Sequence, residues 1–404
     1  MRAGITMKLT PRGCRNVGGN VASAMEELRK EFMDTFVPYG YKPFWPTGLQ
    51  RLDAVTDKLS PNLQGRLIVA NSFYGEPCAL RADVTLGVAD YCASHFEPHE
   101  RPHRLCYTER VYRRPNSPEH NMERLQLGAE LIGWEGEGAD VELIGLLLAY
   151  LNKLNCPKIS IALGDVSLIQ LALGKLPKGY SSALLNCLET GRMDEYARTV
   201  QDLPHSDMRE FFEELPWLKG NFEVLYRAAS LLGETGEALK PLKSIYSELT
   251  KMGYGDFIVI DLSLVRELDY YSGPIFDAYF EDSGVVLGGG GRYDTLLERH
   301  GMMGQAVGFA LDLEKLALNM NKRTTQAQRI LLWAHGNTPS SVMACADNLI
   351  SLGYCVEILW RERECEPAEL ARIKGCDLLL DLSKKSITDL HSGDEAFLDE
   401  FLGR

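Results

Sequence analysis

Four consecutive glycines, Gly288–Gly291 in "VVLGGGGRYDTLLERHG" (285–301), constrain this chain more than any other feature. A run without Cβ atoms contributes no side-chain packing and loses the most backbone freedom on ordering. It survives in a fold where backbone or ligand must approach closely, or where the chain turns sharply. Upstream, "GPIFDAYF" (273–280) alternates and predicts a strand. The whole segment is expected to run strand, glycine turn, helix. A phosphate-cradling loop is disfavoured, because neither G-x-x-x-x-G-K-[ST] nor G-x-G-x-x-G occurs.

Groups that could hold a small charged ligand surround this run. In "VRELDYY" (265–271), Arg266 precedes the pair Tyr270 and Tyr271. In an extended chain the two tyrosines point to opposite faces, one to the core and one free to meet a ligand, and Arg266 shares a face with Tyr270. "YTERVYRRPNSPEHNMERLQLGAELIG" (107–133) predicts strand, polar loop, strand, with Gln126, Gly128 and Glu130 on one face at period two. A glycine between two polar residues leaves room above a sheet, and a buried acid there needs a donor. A solvated sheet face is the alternative. In "ALRADVTLGVADY" (79–91), Arg81, Asp83 and Thr85 also recur at period two, or else Asp83 or Thr85 caps a helix. His95, His99 and His103 have helical spacing, but Pro98 and Pro102 break that helix, so no metal site is expected. No Ser-His-Asp or Cys-His arrangement can be inferred, and no catalytic residue is assigned.

Composition narrows the class. The chain has 404 residues, 45% hydrophobic and 25% charged, with net charge −13. Two or three soluble domains are expected. No apolar run approaches the ~18 residues that span a bilayer, and the start lacks a secretory leader, so a cytoplasmic location without membrane contact is expected. Ten cysteines include no C-x-x-C pair, which predicts reduced, mostly buried thiols and no structural zinc.

Residues 20–37 carry Met25, Leu28, Phe32 and Phe36 at helical spacing, with Asn20 as a candidate cap and Pro38 and Gly40 as stops. Residues 139–154 predict a second apolar helix, and "KISIAL" (158–163) and "FIVIDL" (257–262) predict strands. Residues 165–250 are helical in pattern and are expected to form an insertion in a core spanning 1–320. A polar linker is expected at 321–328. From 329 to 404, strands and helices alternate, predicting a small α/β domain with a mainly parallel sheet and "DEAFLDEFL" (394–402) as a last helix.

Five segments in order resemble the histidyl-tRNA synthetase family. "RELDYYSG" resembles the family's "RGLDYYTG", and "GGGGRYDTLL" its glycine-rich turn. "LRADVT" is similar to "LRPEGT", "VYRRPNSPEHNMERLQLGAE" to class motif 2, and "AVGFALDLEKL" (306–316) to "AVGFAMGLERL" of motif 3. The resemblance covers about residues 10–320. It implies an α+β, class II synthetase-like fold, an antiparallel sheet flanked by helices, with the C-terminal domain as a reduced anticodon-binding domain. It also implies a dimer through "FWPTGLQRLDAVTD" (44–57). Carried over by position, Asp83, Thr85 and Gln126 would meet the α-amino group of histidine. Glu130 and Tyr271 would meet its imidazole, with Tyr270 beside them. Arg266, with Arg113 nearby, would face its carboxylate.

The nucleotide side departs from the family. The adenine-facing arginine of motif 3 is Lys315, which cannot stack as a planar guanidinium. A glycine of that motif is Asp312; a carboxylate at ~5 Å from a phosphate costs ~3 kcal/mol at an effective dielectric of ~20. The tail, with eight Lys and Arg against thirteen Asp and Glu, argues against an RNA partner. These departures resemble the non-catalytic branch of the family, the regulatory subunits of ATP phosphoribosyltransferase. "ELPWLKGNFEVLYRA" (213–227) is similar to that branch too. The implied partners are a short catalytic subunit, a second copy of the chain within a larger hetero-oligomer (a hetero-octamer in the family) and histidine as feedback effector, with no cofactor. An active histidyl-tRNA synthetase is the alternative.

Overall fold

The computed structural model describes residues 9–59, 61–115, 121–154, 157–204, 208–266, 270–320, 327–360 and 366–402. The expected linker lies outside these residues over 321–326, as do 116–120 of the motif 2 loop, 267–269 of "RELDYYSG" and 361–364 of the tail. Two compact units divide at Asn321/Lys322.

The first unit is built on a nine-stranded sheet. Six strands form its antiparallel centre: β1 (His103–Tyr112), β2 (Glu123–Ile132), β3 (Ile159–Asp165), β4 (Pro274–Phe280), β5 (Val286–Arg292) and β6 (Ala306–Asp312). Their spatial order is β1-β2-β6-β5-β4-β3. Lys42–Pro43 extends the β1 edge in parallel, and Ile258–Asp261 and Lys219–Gly220 extend the β3 edge. The α+β, synthetase-like architecture expected from the sequence is the one observed.

The glycine run is not a turn. Gly288–Gly291 lie inside β5, paired on both sides, with Gly290 opposite Phe276 of β4 and Phe309 of β6. A Cβ at Gly290 would stand 2.6 Å from the Phe309 Cα, and one at Gly291 would stand 2.5 Å from the Pro274 carbonyl oxygen. Gly291 also has φ +154, which side chains rarely adopt. The run is there because the neighbouring backbones close in on it, a constraint that only the pairing reveals.

Period-two alternation sorts the sheet into two faces. Leu127, Ala129 and Leu131 of β2 and Val307, Phe309 and Leu311 of β6 enter one apolar cluster. Helices α1 (Gly19–Phe36) and α3 (Gly138–Lys153) cover that face, with Phe32 edge-on to Tyr150 at 5.5 Å and Phe36 packed on Phe309 at 5.7 Å. Met25, Leu28, Phe32 and Phe36 are buried as their spacing predicts. The helix starts one residue earlier than expected, capped by Gly18 without a side-chain bond, so Asn20 is no cap. Side chains from the helices between Val166 and Lys251, such as Phe211, Phe212 and Leu242, join the same cluster. At the N-terminus of α3, Asp140 pairs with Arg292, which also donates to the Gly136 carbonyl at 2.9 Å.

The opposite face carries α2 (Val84–His95) and a second apolar cluster with Tyr107, Tyr270, Tyr271 and Tyr293. Arg81 fixes the entry to α2. It is 3% exposed, and its guanidinium donates to the carbonyls of Pro46, Thr47 and Arg110 and to Glu109 Oε2 at 2.6 Å. Arg81 is therefore structural. His95 ends α2 against Tyr91, while His103 opens β1 against Phe96, so the three-histidine spacing spans different elements.

The second unit has a five-stranded sheet. Cys355–Leu359, Arg329–Trp333 and Leu378–Asp381 pair in parallel, as the alternation predicts. Ser386–Asp389 and Glu395–Phe397 then add antiparallel strands, both missed from sequence. "DEAFLDEFL" is thus part strand, with helix only over Leu398–Leu402. Gly393, at φ +81, turns the chain back onto Ser386–Asp389 and makes this pairing possible. The eight cysteines among the described residues are free.

Gly290→Ala is expected to cost more than about 4 kcal/mol, because backbone must move. Gly179→Ala, in an open helical position, is expected to gain a few tenths to about 1 kcal/mol. Arg81→Ala is expected to cost about 3–5 kcal/mol by stranding Glu109 and three carbonyls. Urea unfolding of the three variants measures all three shifts.

Candidate functional site

A cavity of about 200 Å³ opens on the α2 face of the sheet. Asp83, Thr85, Arg113, Gln126, Arg266, Tyr270, Tyr271, Asp312 and Lys315 all line it, so nine of the ten residues singled out from sequence converge. They come from α2 and its cap, the end of β1, β2, the segment before β4, the end of β6 and the helix that follows it.

Glu130, the tenth, lies beneath the wall. It is wholly buried and does not line the cavity, whereas Thr85, Tyr293 and Gly308, which touch it, do. Its Oε1 accepts from the Thr85 hydroxyl at 2.8 Å and the Tyr107 hydroxyl at 3.1 Å. Its Oε2 accepts from the Tyr293 hydroxyl at 2.7 Å. Two glycines make room. A Cβ at Gly308 would collide with the Glu130 carboxylate, and one at Gly128 would collide with the Tyr107 ring. The space above Gly128 expected from the Gln126-Gly128-Glu130 pattern is therefore filled by Tyr107. Burial pushes the Glu130 carboxyl up to about 8, although the hydroxyls of Tyr293, Thr85 and Tyr107 pull against that rise. Burial also holds the Tyr107 and Tyr293 phenols far above their usual range, so both remain protonated.

Both earlier readings of "LRADVT" hold in part. Asp83 caps α2, accepting the Leu86 N–H at 3.2 Å, and its other oxygen faces Arg113 Nη2 at 3.4 Å. Arg113 Nε donates to the Ala82 carbonyl at 2.7 Å, which ties the arginine to the same turn. The cap gives Asp83 its position and leaves its carboxylate on the cavity.

The tyrosine pair corrects the expectation of opposite faces. Tyr270 and Tyr271 precede β4 and lie outside any strand, so strand alternation does not govern them. Both are buried against the cavity, with ring centres 5.1 Å apart. Arg266 lies over the ring of Tyr271, 5.6 Å from its centre, and so pairs with Tyr271 rather than Tyr270. Its guanidinium also forms an ion pair with Asp277 and donates to the Phe276 carbonyl at 3.2 Å. Gly289 has no Cβ to obstruct this pair.

Asp312 and Lys315 have local duties. Asp312 caps the helix Leu313–Leu318 by accepting the Lys315 N–H at 3.0 Å. The Lys315 ammonium donates to the Val286 carbonyl at 2.9 Å.

Sequence reasoning missed Arg124, Tyr293 and Gly308, which also line the cavity. Arg124 was within reach, because it continues the Gln126-Gly128-Glu130 face by two residues. Tyr293 and Gly308 lie within "GGGGRYDTLL" and "AVGFALDLEKL", but nothing local ties either to Glu130; the fold brings each to it. Among the described residues, no three His, Cys, Asp or Glu side chains cluster so as to hold a metal.

The family model for histidyl-tRNA synthetase matches residues 13–316. A protein of Cupriavidus metallidurans named ATP phosphoribosyltransferase regulatory subunit is 32% identical over 316 residues, 76% of this chain and 81% of its own length. A protein of the same name from Syntrophotalea carbinolica is 29% identical over 327 residues, 79% of this chain and 76% of its own. A crystal structure from Bacillus halodurans, titled an ATP phosphoribosyltransferase regulatory subunit/histidyl-tRNA synthetase, superposes with a TM-score of 0.80 at 25% identity, over 91% of this chain and 96% of that one. The chain belongs to the histidyl-tRNA synthetase family, and within it to the branch of ATP phosphoribosyltransferase regulatory subunits.

Proposed function

We propose that this chain is a non-catalytic subunit that binds histidine in the cavity and, in a cytoplasmic hetero-oligomer, supports and restrains a short ATP phosphoribosyltransferase catalytic chain. The observation that carries this is the pairing of a charged amino-acid cradle with a spent nucleotide side. Asp83 with Thr85 and Gln126 offers acceptors to an ammonium, and Arg113 and Arg266 offer donors to a carboxylate. A buried zwitterion needs both. Tyr271 lines the same cavity and offers a hydroxyl to a ring nitrogen. Glu130 reaches the ring through Thr85 or Tyr293 rather than directly. Asp312 and Lys315, where a nucleotide would be bound, are committed to a helix cap and a backbone carbonyl. Feedback then requires that histidine bind the active and inhibited assemblies with different affinity.

The partner assay tests the core of this reading. A short catalytic chain mixed with this protein is expected to gain phosphoribosyltransferase activity that L-histidine inhibits; equal activity without the protein would refute it. ATP–pyrophosphate exchange driven by histidine is expected to stay at background. Robust exchange would favour the synthetase alternative. Asp83→Asn keeps a good helix cap and removes the charge. Calorimetry is expected to show histidine affinity lowered roughly tenfold or more, the loss of a charge-assisted bond worth ~1.5–3 kcal/mol, with an unchanged unfolding midpoint.

A further inference from the structure

Arg266 has a counter-ion within the chain itself. Its Nη1 forms an ion pair with Asp277 and donates to the Phe276 carbonyl at 3.2 Å. The guanidinium also lies over the Tyr271 ring, 5.6 Å from its centre. Arg266 lines the cavity, whereas Asp277 does not. The two side chains are 19% and 20% exposed, so solvent screens their charges only in part.

Asp277 owes its place to the sheet. Along β4, Phe276, Ala278 and Phe280 enter the apolar cluster under α1 and α3, while Ile275 enters the cluster of the opposite face. Period two puts Asp277 on that opposite face with Ile275. Its cross-strand neighbours are Ala162 on β3 and Gly289 on β5, both small. A Cβ at Gly289 would collide with the Asp277 carboxylate and the Arg266 guanidinium. The sheet leaves one seat beside Asp277, and Arg266 fills it.

That placement bears on any anionic group in the cavity. A carboxylate that meets Arg266 shares the guanidinium with Asp277, so two like charges flank one cation and repel each other. The Asp83–Arg113 pair is different. Its members stand 3.4 Å apart and both line the cavity, so one ligand can meet the two together. At Arg266 the cavity offers the cation alone.

We propose that Asp277 is a specificity-determining residue for the ligand: as the internal counter-ion of Arg266, it restrains the binding of a ligand carboxylate, and a ligand without a carboxylate escapes that restraint. Asp277 touches no ligand and acts through charge alone. The inference rests on the histidine reading above and deepens it, by naming the group that limits affinity for the carboxylate end. An effector site has to empty when the effector runs low, and a competing carboxylate on Arg266 limits how tightly the site can hold.

Calorimetric titration of the full chain with L-histidine and with L-histidinol tests this. L-Histidinol keeps the amine and the imidazole but has a hydroxymethyl group for the carboxylate. Asp277→Asn keeps the size and an acceptor for Nη1 and removes the charge. It is expected to tighten L-histidine binding roughly tenfold or more, the effect of one charge within ~10 Å at an effective dielectric of ~20, and to leave the cationic L-histidinol no tighter. A purely structural role would loosen the cavity and move both ligands alike. Asp277→Ser has the same expected sign and replaces the asparagine variant if that one has a lowered urea midpoint. A histidine-to-histidinol affinity ratio that stays at the parent value or falls overturns the proposal. If the parent chain binds neither ligand, the histidine reading itself fails and this inference with it; if it binds L-histidine and only the ratio stays unmoved, the role of Asp277 alone is lost.

Discussion

The close approach of three backbones around β5 is the constraint on which the rest depends. Gly288–Gly291 let β4 and β6 close over the four central residues of a strand, which bring no side chains of their own. A side chain on β5 at Gly289 would displace Arg266 and Asp277, which occupy that space. The same absence of side chains leaves a hollow on the face that carries α2. The apolar residues of β2 and β6 meanwhile go to the other face, where α1 and α3 bury them. One face supplies the hydrophobic stabilisation that lets the other keep an open, polar hollow.

On that polar face, Glu130 sets the geometry. A carboxyl without exposure forces every neighbour to supply a donor or to give way. Thr85, Tyr107 and Tyr293 supply donors, and Gly128 and Gly308 give way. The cavity wall is therefore held by a network whose members come from α2, β1, β2, β6 and the end of β5. Such a network rigidifies a site when each member is satisfied.

The two residues that depart from the synthetase form of motif 3 have local structural roles. Asp312 stands where motif 3 has glycine, and its carboxylate satisfies the first turn of a short helix. Lys315 replaces a flat, stacking guanidinium by a compact ammonium that reaches a backbone carbonyl instead. Asp83, Gln126 and Arg266 line the same cavity as both residues, which is the geometry on which the proposed histidine site rests.

Much was legible in the chain before folding. Helical spacing identified the buried face of α1, and period-two alternation put Gln126, Gly128 and Glu130 on one face, because both patterns are local consequences of backbone geometry. The motifs identified the family for the same reason: they are contiguous. What local pattern could not supply was pairing. Glycines in a strand and glycines in a turn look alike until β4 and β6 stand on either side. Tyr270 and Tyr271 look like strand residues until the chain is seen to be irregular there. "EAF" reads as helix until Ser386–Asp389 offers it a ladder. The sequence by itself determined which residues can carry charge, cap a helix or fill a core. Only the tertiary structure decided that Glu130 lies behind Thr85 and Tyr293 rather than on the cavity, because burial and hydrogen bonding depend on atoms far apart in the chain.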